Sequence, residues 1–403
     1  MTNVMTPANS GIGVGPNNPA PANLSNSSMA QSAAPASASA IPFTRGSTDG
    51  TMADFQGTVA FNAGQQIALQ TNAFLTAIEI ELEVTTAGNT AAVAFNPDAP
   101  WNLIKLLQFN DPANQAIITP ISGYGLYLAN KYLPETGCLF DPKLDPNYEA
   151  VTGTAANGGS ISIRLIVPIE IRHRDAFGAL ANSAANQRFL LTINTGATTD
   201  LYATAPTVLP TNITMKIYQH YWTSPPAFVT STSGQVAVAP EPSGLGTVGF
   251  MRYERHNEVS GGGAPPIQIT SVGDYIETLI FVLRNTSNAR ESTDWPDEFD
   301  FWVNDFQTQA LNIKMWQREM ARVYKYDSGA AEAPGGLDNG VFVLTKTMGL
   351  FDKMDNFALA SQYIPTTASS KLQIRGSTWG AGASYLEVYV RSIRPNSAAA
   401  LFG

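Results

Sequence analysis

Ile78-Glu79-Ile80-Glu81-Leu82-Glu83-Val84 alternates apolar with acidic side chains without a break. Only an extended chain sends successive side chains to opposite faces, so this run reads as a strand with one face in a core and one in water. Ile161, Ile163, Leu165, Val167, Ile169 and Ile171 repeat the pattern, and Ile213, Met215 and Ile217 carry it into Tyr221. Turn clusters such as Asn96-Pro-Asp-Ala-Pro100 and Asn157-Gly-Gly-Ser160 separate the runs.

Two stretches break the strand texture. Asp175–Gln187 opens on an acidic residue and is rich in alanine, which predicts a helix followed at once by a strand over Arg188–Asn194. Ile313, Trp316, Met320 and Val323 recur at spacings of three and four, which predicts a second helix over Gln309–Tyr326. Each helix follows strands and precedes a late closing strand, near 211 in the first half and near 384 in the second. The order repeats with unequal loops. The chain has 403 residues, more than the ~100–200 of one ordinary domain. The reading is all-β: two tandem eight-stranded antiparallel jelly rolls, a double jelly roll, each with an inserted helix. The boundaries are a disordered N-terminal arm over 1–50, a first jelly roll over 51–223, a linker and loop over 224–260, and a second jelly roll over 261–403. Pro, Ser and Gly crowd residues 223–249, and residues 1–40 carry no charged side chain.

Charged residues make up 14% of the chain and hydrophobic ones 44%, so the surface is covered by small and neutral polar side chains. That suits a protein whose surface is buried against other copies of itself. The net charge of −9 opposes general nucleic-acid or anionic-membrane binding. No run of ~18 apolar residues is present. The first residues lack the basic-then-apolar pattern of a signal peptide, which predicts a protein made and used within a cytoplasm or packaged from one. In that setting the acceptor-like triplets at Asn23, Asn26, Asn212 and Asn285 read as chance.

Little raw material for catalysis is present. Cys138 is the only cysteine, which excludes an internal disulfide and a Cys-based zinc site. Without a basic neighbour, it reads as a small core residue. His173, His220 and His256 share no metal-ligand spacing. Gly244-Leu-Gly-Thr-Val-Gly249 matches a dinucleotide fingerprint in letters, but Pro240-Glu-Pro242 precedes it and no helix is predicted from its last glycine. Asp294, Asp297, Glu298 and Asp300 surround Trp295-Pro296, with Asp305 beyond. Paired carboxylates beside an aromatic can bind a cation or cleave a glycoside; a solvated loop leading into a strand is the plainer reading. Tyr218, Tyr221 and Trp222 could stack sugars or bases, but a strand of alternating large residues is more often a barrel wall. No residue is assigned a catalytic, cofactor-binding or metal-ligating role, and no cofactor is expected.

Three stretches carry a resemblance: Trp101–Gln115 leading to Ser122-Gly-Tyr-Gly-Leu-Tyr127, read as a strand, an Asp-Pro turn and a glycine-containing strand; Val167–Asn194; and Ile213–Pro225. In their order the chain resembles the tectivirus-type double jelly-roll major capsid proteins of tailless, internal-membrane-containing icosahedral phages, in the wider adenovirus hexon lineage. Residues 1–50 depart from the charged amphipathic N-terminal helix that such proteins can lay on a membrane. The resemblance implies a non-enzymatic major capsid protein that forms pseudo-hexagonal homotrimers tiling a virion shell. Its implied partners are itself, neighbouring capsomers, penton and minor capsid proteins and an internal viral membrane, without sequence-specific nucleic-acid binding. It implies location in the virion after assembly in the host cytoplasm. The alternatives are a carbohydrate-binding or glycoside-hydrolysing β-sandwich protein, and a viral spike or receptor-binding trimer.

Overall fold

The computed structural model describes residues 40–396 apart from 87–92, 134–140, 155–157, 233, 261–264, 310–311, 317, 319–339, 346–363 and 368–369. Sixteen principal strands carry the architecture. In the first half they are β1 (Asp49–Ala60), β2 (Gly64–Ala68), β3 (Phe74–Thr85), β4 (Ile104–Asn110), β5 (Ala116–Ile121), β6 (Ser160–Pro168), β7 (Leu190–Thr195) and β8 (Asn212–Trp222). In the second they are β9 (Val248–His256), β10 (Ile267–Ile269), β11 (Tyr275–Asn285), β12 (Phe299–Val303), β13 (Phe306–Gln309), β14 (Val341–Thr345), β15 (Leu372–Gly376) and β16 (Ala383–Arg394).

The alternating runs behave as their period requires. Ile78, Ile80, Leu82 and Val84 of β3 are buried, as are Ile161, Ile163, Leu165 and Val167 of β6 and Ile213, Met215 and Ile217 of β8. Each such side chain contributes about 1.5–3 kcal/mol by leaving water. A register slip of one residue would turn all of them outward, so the pairing is fixed: Ile80 lies opposite Leu165 on one side and Ile217 on the other.

The strand order is the same in both halves. In the first, one sheet runs β1-β8-β3-β6 and the other β2-β7-β4-β5. In the second, β9-β16-β11-β14 and β10-β15-β12-β13 repeat that permutation strand for strand. Each half therefore places its first and last strands side by side and wraps eight antiparallel strands into two facing sheets, a jelly roll. The fold is a double jelly roll. The second sheet of the first barrel and the first sheet of the second barrel are one continuous sheet, joined where Met251 of β9 meets Ile118 of β5 in a parallel bridge. Thr119 reinforces the seam: its hydroxyl lies 3.4 Å from the Met251 carbonyl and accepts from the Tyr253 N–H at 2.9 Å. In the middle of this sheet β11 and β16 are buried along nearly their whole length. This is why β11 reads as an unbroken apolar run from Leu279 to Leu283 rather than an alternating one.

Four expectations need correction. First, Asp175–Gln187 is not a helix. Arg172 and Phe177 close a tight turn in which Ala176 takes positive φ, and Gly178 just beyond it does so too. Arg172 Nε holds the Asp175 carboxylate at 2.8 Å, and Leu180–Ala181 pairs with the start of β3. Alanine propensity loses to this local ion pair and to strand pairing. Second, the helix of the first half is Gly123–Tyr132, within the stretch read as a glycine-containing strand. Ser122 caps it by accepting from Gly125 N–H at 3.1 Å. Its glycines serve contact: a Cβ on Gly123 would lie 2.2 Å from the Trp101 carbonyl oxygen, and one on Gly125 2.4 Å from the Tyr389 ring. Third, residues 224–260 hold strands rather than a bare linker: the hairpin Phe228–Ser231/Gly234–Ala237, then β9. Fourth, the arm read over 1–50 ends earlier. Ile41 bridges Val238, Phe43 is buried against Phe74 and Trp222, and β1 has begun by Asp49. Residues 1–39 lie outside the described residues.

In the second half residues 313–316 are helical, as Gln309–Tyr326 predicts at its start; most of the remainder lies outside the described residues. Trp316 is buried and donates to the Val343 carbonyl at 2.8 Å. Both helices thus follow the fifth strand of their barrel.

Candidate functional site

The residues singled out in the sequence do not converge. Gly244 and Gly246 lie in a turn at positive φ, and Gly249 sits in β9 opposite Ile393, so no helix opens there to hold a phosphate. Asp294 packs against Gly380 and Gly382, and Asp300 is paired with Arg375 across β12 and β15. The Asp297 carbonyl accepts from Ile313 N–H at 3.1 Å, and Glu298 bridges Asn312. Asp305 holds Lys371 at 3.1 Å and Arg375 at 2.9 Å. Cys138 lies outside the described residues. Among the described residues no group of three His, Cys, Asp or Glu side chains is placed to hold a metal.

Each histidine has a carboxylate of its own. His173 Nδ1 lies 2.8 Å from Glu170, whose other oxygen accepts from Trp222 Nε1 at 3.0 Å, and the imidazole stacks on that indole. Burial raises the Glu170 pKa against those bonds. His220 Nε2 lies 2.8 Å from Glu79, which Arg164 also holds at 2.6 Å. Burial opposes the Glu79 charge, but these partners outweigh it and lower its pKa. His256 faces Glu254 at 3.2 Å. There burial is overcome by His256, Ser271 and Thr270, which hold the Glu254 carboxyl down to about 2. Tyr218 OH accepts from Gln56 at 3.2 Å on the outer face of β8, and Trp222 packs with Phe43 and Phe74, so this strand serves as a barrel wall.

The side-chain constellation that does converge lies between the barrels. Asp98, on the loop between β3 and β4, accepts from Arg284 Nη1 at 2.6 Å and from Arg290 Nε at 2.9 Å. Arg284 is 4% exposed and also donates to Glu387 of β16 at 2.9 Å and to the Asn288 carbonyl at 3.1 Å. Arg290 donates to the Pro97 carbonyl at 2.7 Å. Both guanidinium groups lie over the ring of Tyr124, on the helix Gly123–Tyr132. Burial works against the Arg284 charge; Asp98 and Glu387 more than offset it, so it stays protonated. Helix, first-barrel loop and second-barrel strands thus meet at one buried charged network, with Tyr389 OH 3.4 Å from the Ser122 hydroxyl beside it. A polar cleft of about 330 Å³ opens alongside, lined by Asn96, Asp98, Asn102, Lys105, Asp200 and Asn288. Nothing here pairs a base with a nucleophile. What the network does is fix how one barrel sits on the other. Sequence reasoning missed it because Asp98 and Arg284 are 186 residues apart.

No family profile matches the chain and no curated protein matches it in sequence. Solved structures do match its fold. A chain of the Sulfolobus Turreted Icosahedral Virus structure aligns at TM-score 0.57 and 15% identity, over 86% of this chain and 91% of that one. The PBCV-1 virus capsid aligns at 0.55 and 10%, over 86% and 93%. The Faustovirus major capsid protein aligns at 0.55 and 9%, over 86% and 90%. At these identities the similarity is one of fold: this chain shares the double jelly roll of viral capsid proteins. No helix of the described residues is long and apolar enough to cross a membrane.

Proposed function

We propose that the chain is a major capsid protein that self-assembles into the shell of an icosahedral virus. The observation that carries the reading is the repetition of one eight-strand permutation in two barrels locked edge to edge. Three such chains around an axis present six similar barrels, which gives a trimer a nearly hexagonal outline able to tile a closed surface. The names of the similar structures, a virus capsid and a major capsid protein, support the same reading. The low charge fraction of 14% lets large surfaces meet with little desolvation of charge.

On this reading the role is assembly rather than catalysis, and the product resides in the virion after assembly in the host cytoplasm. The partners are further copies, penton and minor capsid proteins and an internal membrane. The first barrel runs from β1 to β8, residues 49–222, and the second from β9 to β16, residues 248–394. The test is the mass and outline of the purified protein. Light scattering should give a trimer of the 43.0 kDa chain, and negative-stain images should show flat hexagonal particles. A monomer at micromolar concentration would overturn the reading.

A further inference from the structure

The hairpin Phe228–Ser231/Gly234–Ala237 stands apart from the three large sheets as a two-stranded sheet of its own. Two strands alone are marginal in water. Within it Val229 faces Val236, and just beyond it Val238 N–H donates to the Ala227 carbonyl at 3.0 Å. In an antiparallel pair hydrogen-bonded and non-hydrogen-bonded positions alternate. Residues 236 and 238 therefore turn their peptide groups inward, and Gln235 and Ala237 turn theirs to the outer edge. That edge already has one occupant. Ile41 N–H donates to the Ala237 carbonyl at 2.9 Å, and Ala239 N–H donates to the Ile41 carbonyl at 3.0 Å, a parallel bridge. Phe43, buried two residues on, pins the bridge in place.

We propose that the residues just before Ile41, the run Ala36-Ser-Ala-Ser-Ala40, add to this edge as a third, parallel strand. The Ile41–Val238 bridge sets the register, with Ser39 beside Val236 and Ser37 beside Gly234. Ser39 N–H then donates to the Gln235 carbonyl, and its own carbonyl accepts from Ala237 N–H. The small alternating side chains suit a flat edge. Pro35, which has no N–H, ends the strand. Neither the arm up to Ala40 nor the hairpin carries a charged residue, so pairing desolvates no charge and is insensitive to salt. The added strand runs antiparallel to Phe228–Ser231, so it delivers the preceding residues at the hairpin tip, near Thr232. That the tip then meets a neighbouring capsomer rests on the capsid reading; the strand addition does not.

The test is a disulfide pair in the full chain with Cys138→Ser. Ser39→Cys with Val236→Cys places two sulfurs on one face of adjacent strands, ~4.8 Å apart at the backbone and within disulfide range. Under mild oxidation this pair should close at least ~10-fold faster than Ala38→Cys with Val236→Cys, which is only one residue farther from the anchor at Ile41 but turns its sulfur to the opposite face of the proposed strand. Equal rates would overturn the proposal. Hydrogen exchange on the unmodified chain gives a second readout. The amide of Ala237 should exchange ~10-fold faster in a protein truncated to begin at Ile41, and unchanged protection would overturn it. If the in-register pair closes in a protein that stays monomeric, the strand addition stands and the capsid reading falls.

Discussion

Replacing Asp98 by alanine strips two buried guanidinium groups of the carboxylate they share. Arg284 would keep Glu387 at 2.9 Å and the Asn288 carbonyl at 3.1 Å, while Arg290 would keep the Pro97 carbonyl at 2.7 Å. Breaking a buried pair from one side costs about 3–5 kcal/mol, because a charge is left without compensation. The retained Glu387 bond places Asp98→Ala toward the lower end of that range. Arg284→Met removes one buried charge, leaving Asp98 with Arg290 and Glu387 with the Tyr253 hydroxyl at 3.3 Å, and should cost a similar amount. In the double variant the Asp98–Arg284 contact is lost once, whereas the two single losses each count it. The double variant should be at least ~1 kcal/mol more stable than the sum of the single losses predicts. The assay is urea unfolding of the four proteins, read by tryptophan fluorescence. Additivity within ~0.5 kcal/mol would refute the view that these residues act as one lock.

Burial pushes the Asp54 carboxyl up to about 6 from 3.8, despite the Gln70 N–H donated to it at 2.7 Å and the nearby Arg188. The folded state therefore holds this proton more tightly than the unfolded chain. Its stabilising effect is present below pH 3.8 and is lost as pH rises to about 6. The stability of the parent relative to Asp54→Asn should fall by about 1–2 kcal/mol across that window, after allowance for the partial exposure of Asp54; parallel curves would contradict the burial argument. Gly123→Ala would drive a Cβ to 2.2 Å from the Trp101 carbonyl. It should cost about 1–3 kcal/mol although alanine favours helices, and a stabilised Gly123→Ala protein in thermal unfolding would show that the helix is free to move away.

The parts of the fold legible in the sequence are those set by local period. β3, β6 and β8 alternate because each has one face in a core, and their inward residues could be named from the letters alone. The helix Gly123–Tyr132 was hidden because its two glycines lower intrinsic helicity. They are there to let Trp101 and Tyr389 approach, contacts that belong to distant parts of the chain. Asp175–Gln187 misled in the opposite direction, since its alanines favour a helix that the Arg172–Asp175 pair and the pairing of Leu180 with Leu75 forbid. β9 was concealed by the Pro- and Gly-rich segment before it. Of the carboxylate–histidine contacts, Glu170/His173 and Glu254/His256 were readable as near neighbours in sequence. Glu79/His220 and the Asp98 network need the register of strands more than a hundred residues apart.

The seam between β5 and β9 has one mechanical consequence. Elsewhere in the long sheet neighbouring strands are laced by several backbone bonds, as between β11 and β16, but across this seam the register records a single bridge. A sheet pulled sideways yields first along its most weakly laced line, so tension between the barrels passes through Thr119 and the Asp98–Arg284–Glu387 chain rather than through a ladder. On the capsid reading proposed above, that line would be the crease at which a shell takes up small changes of curvature between barrels while each barrel keeps its shape.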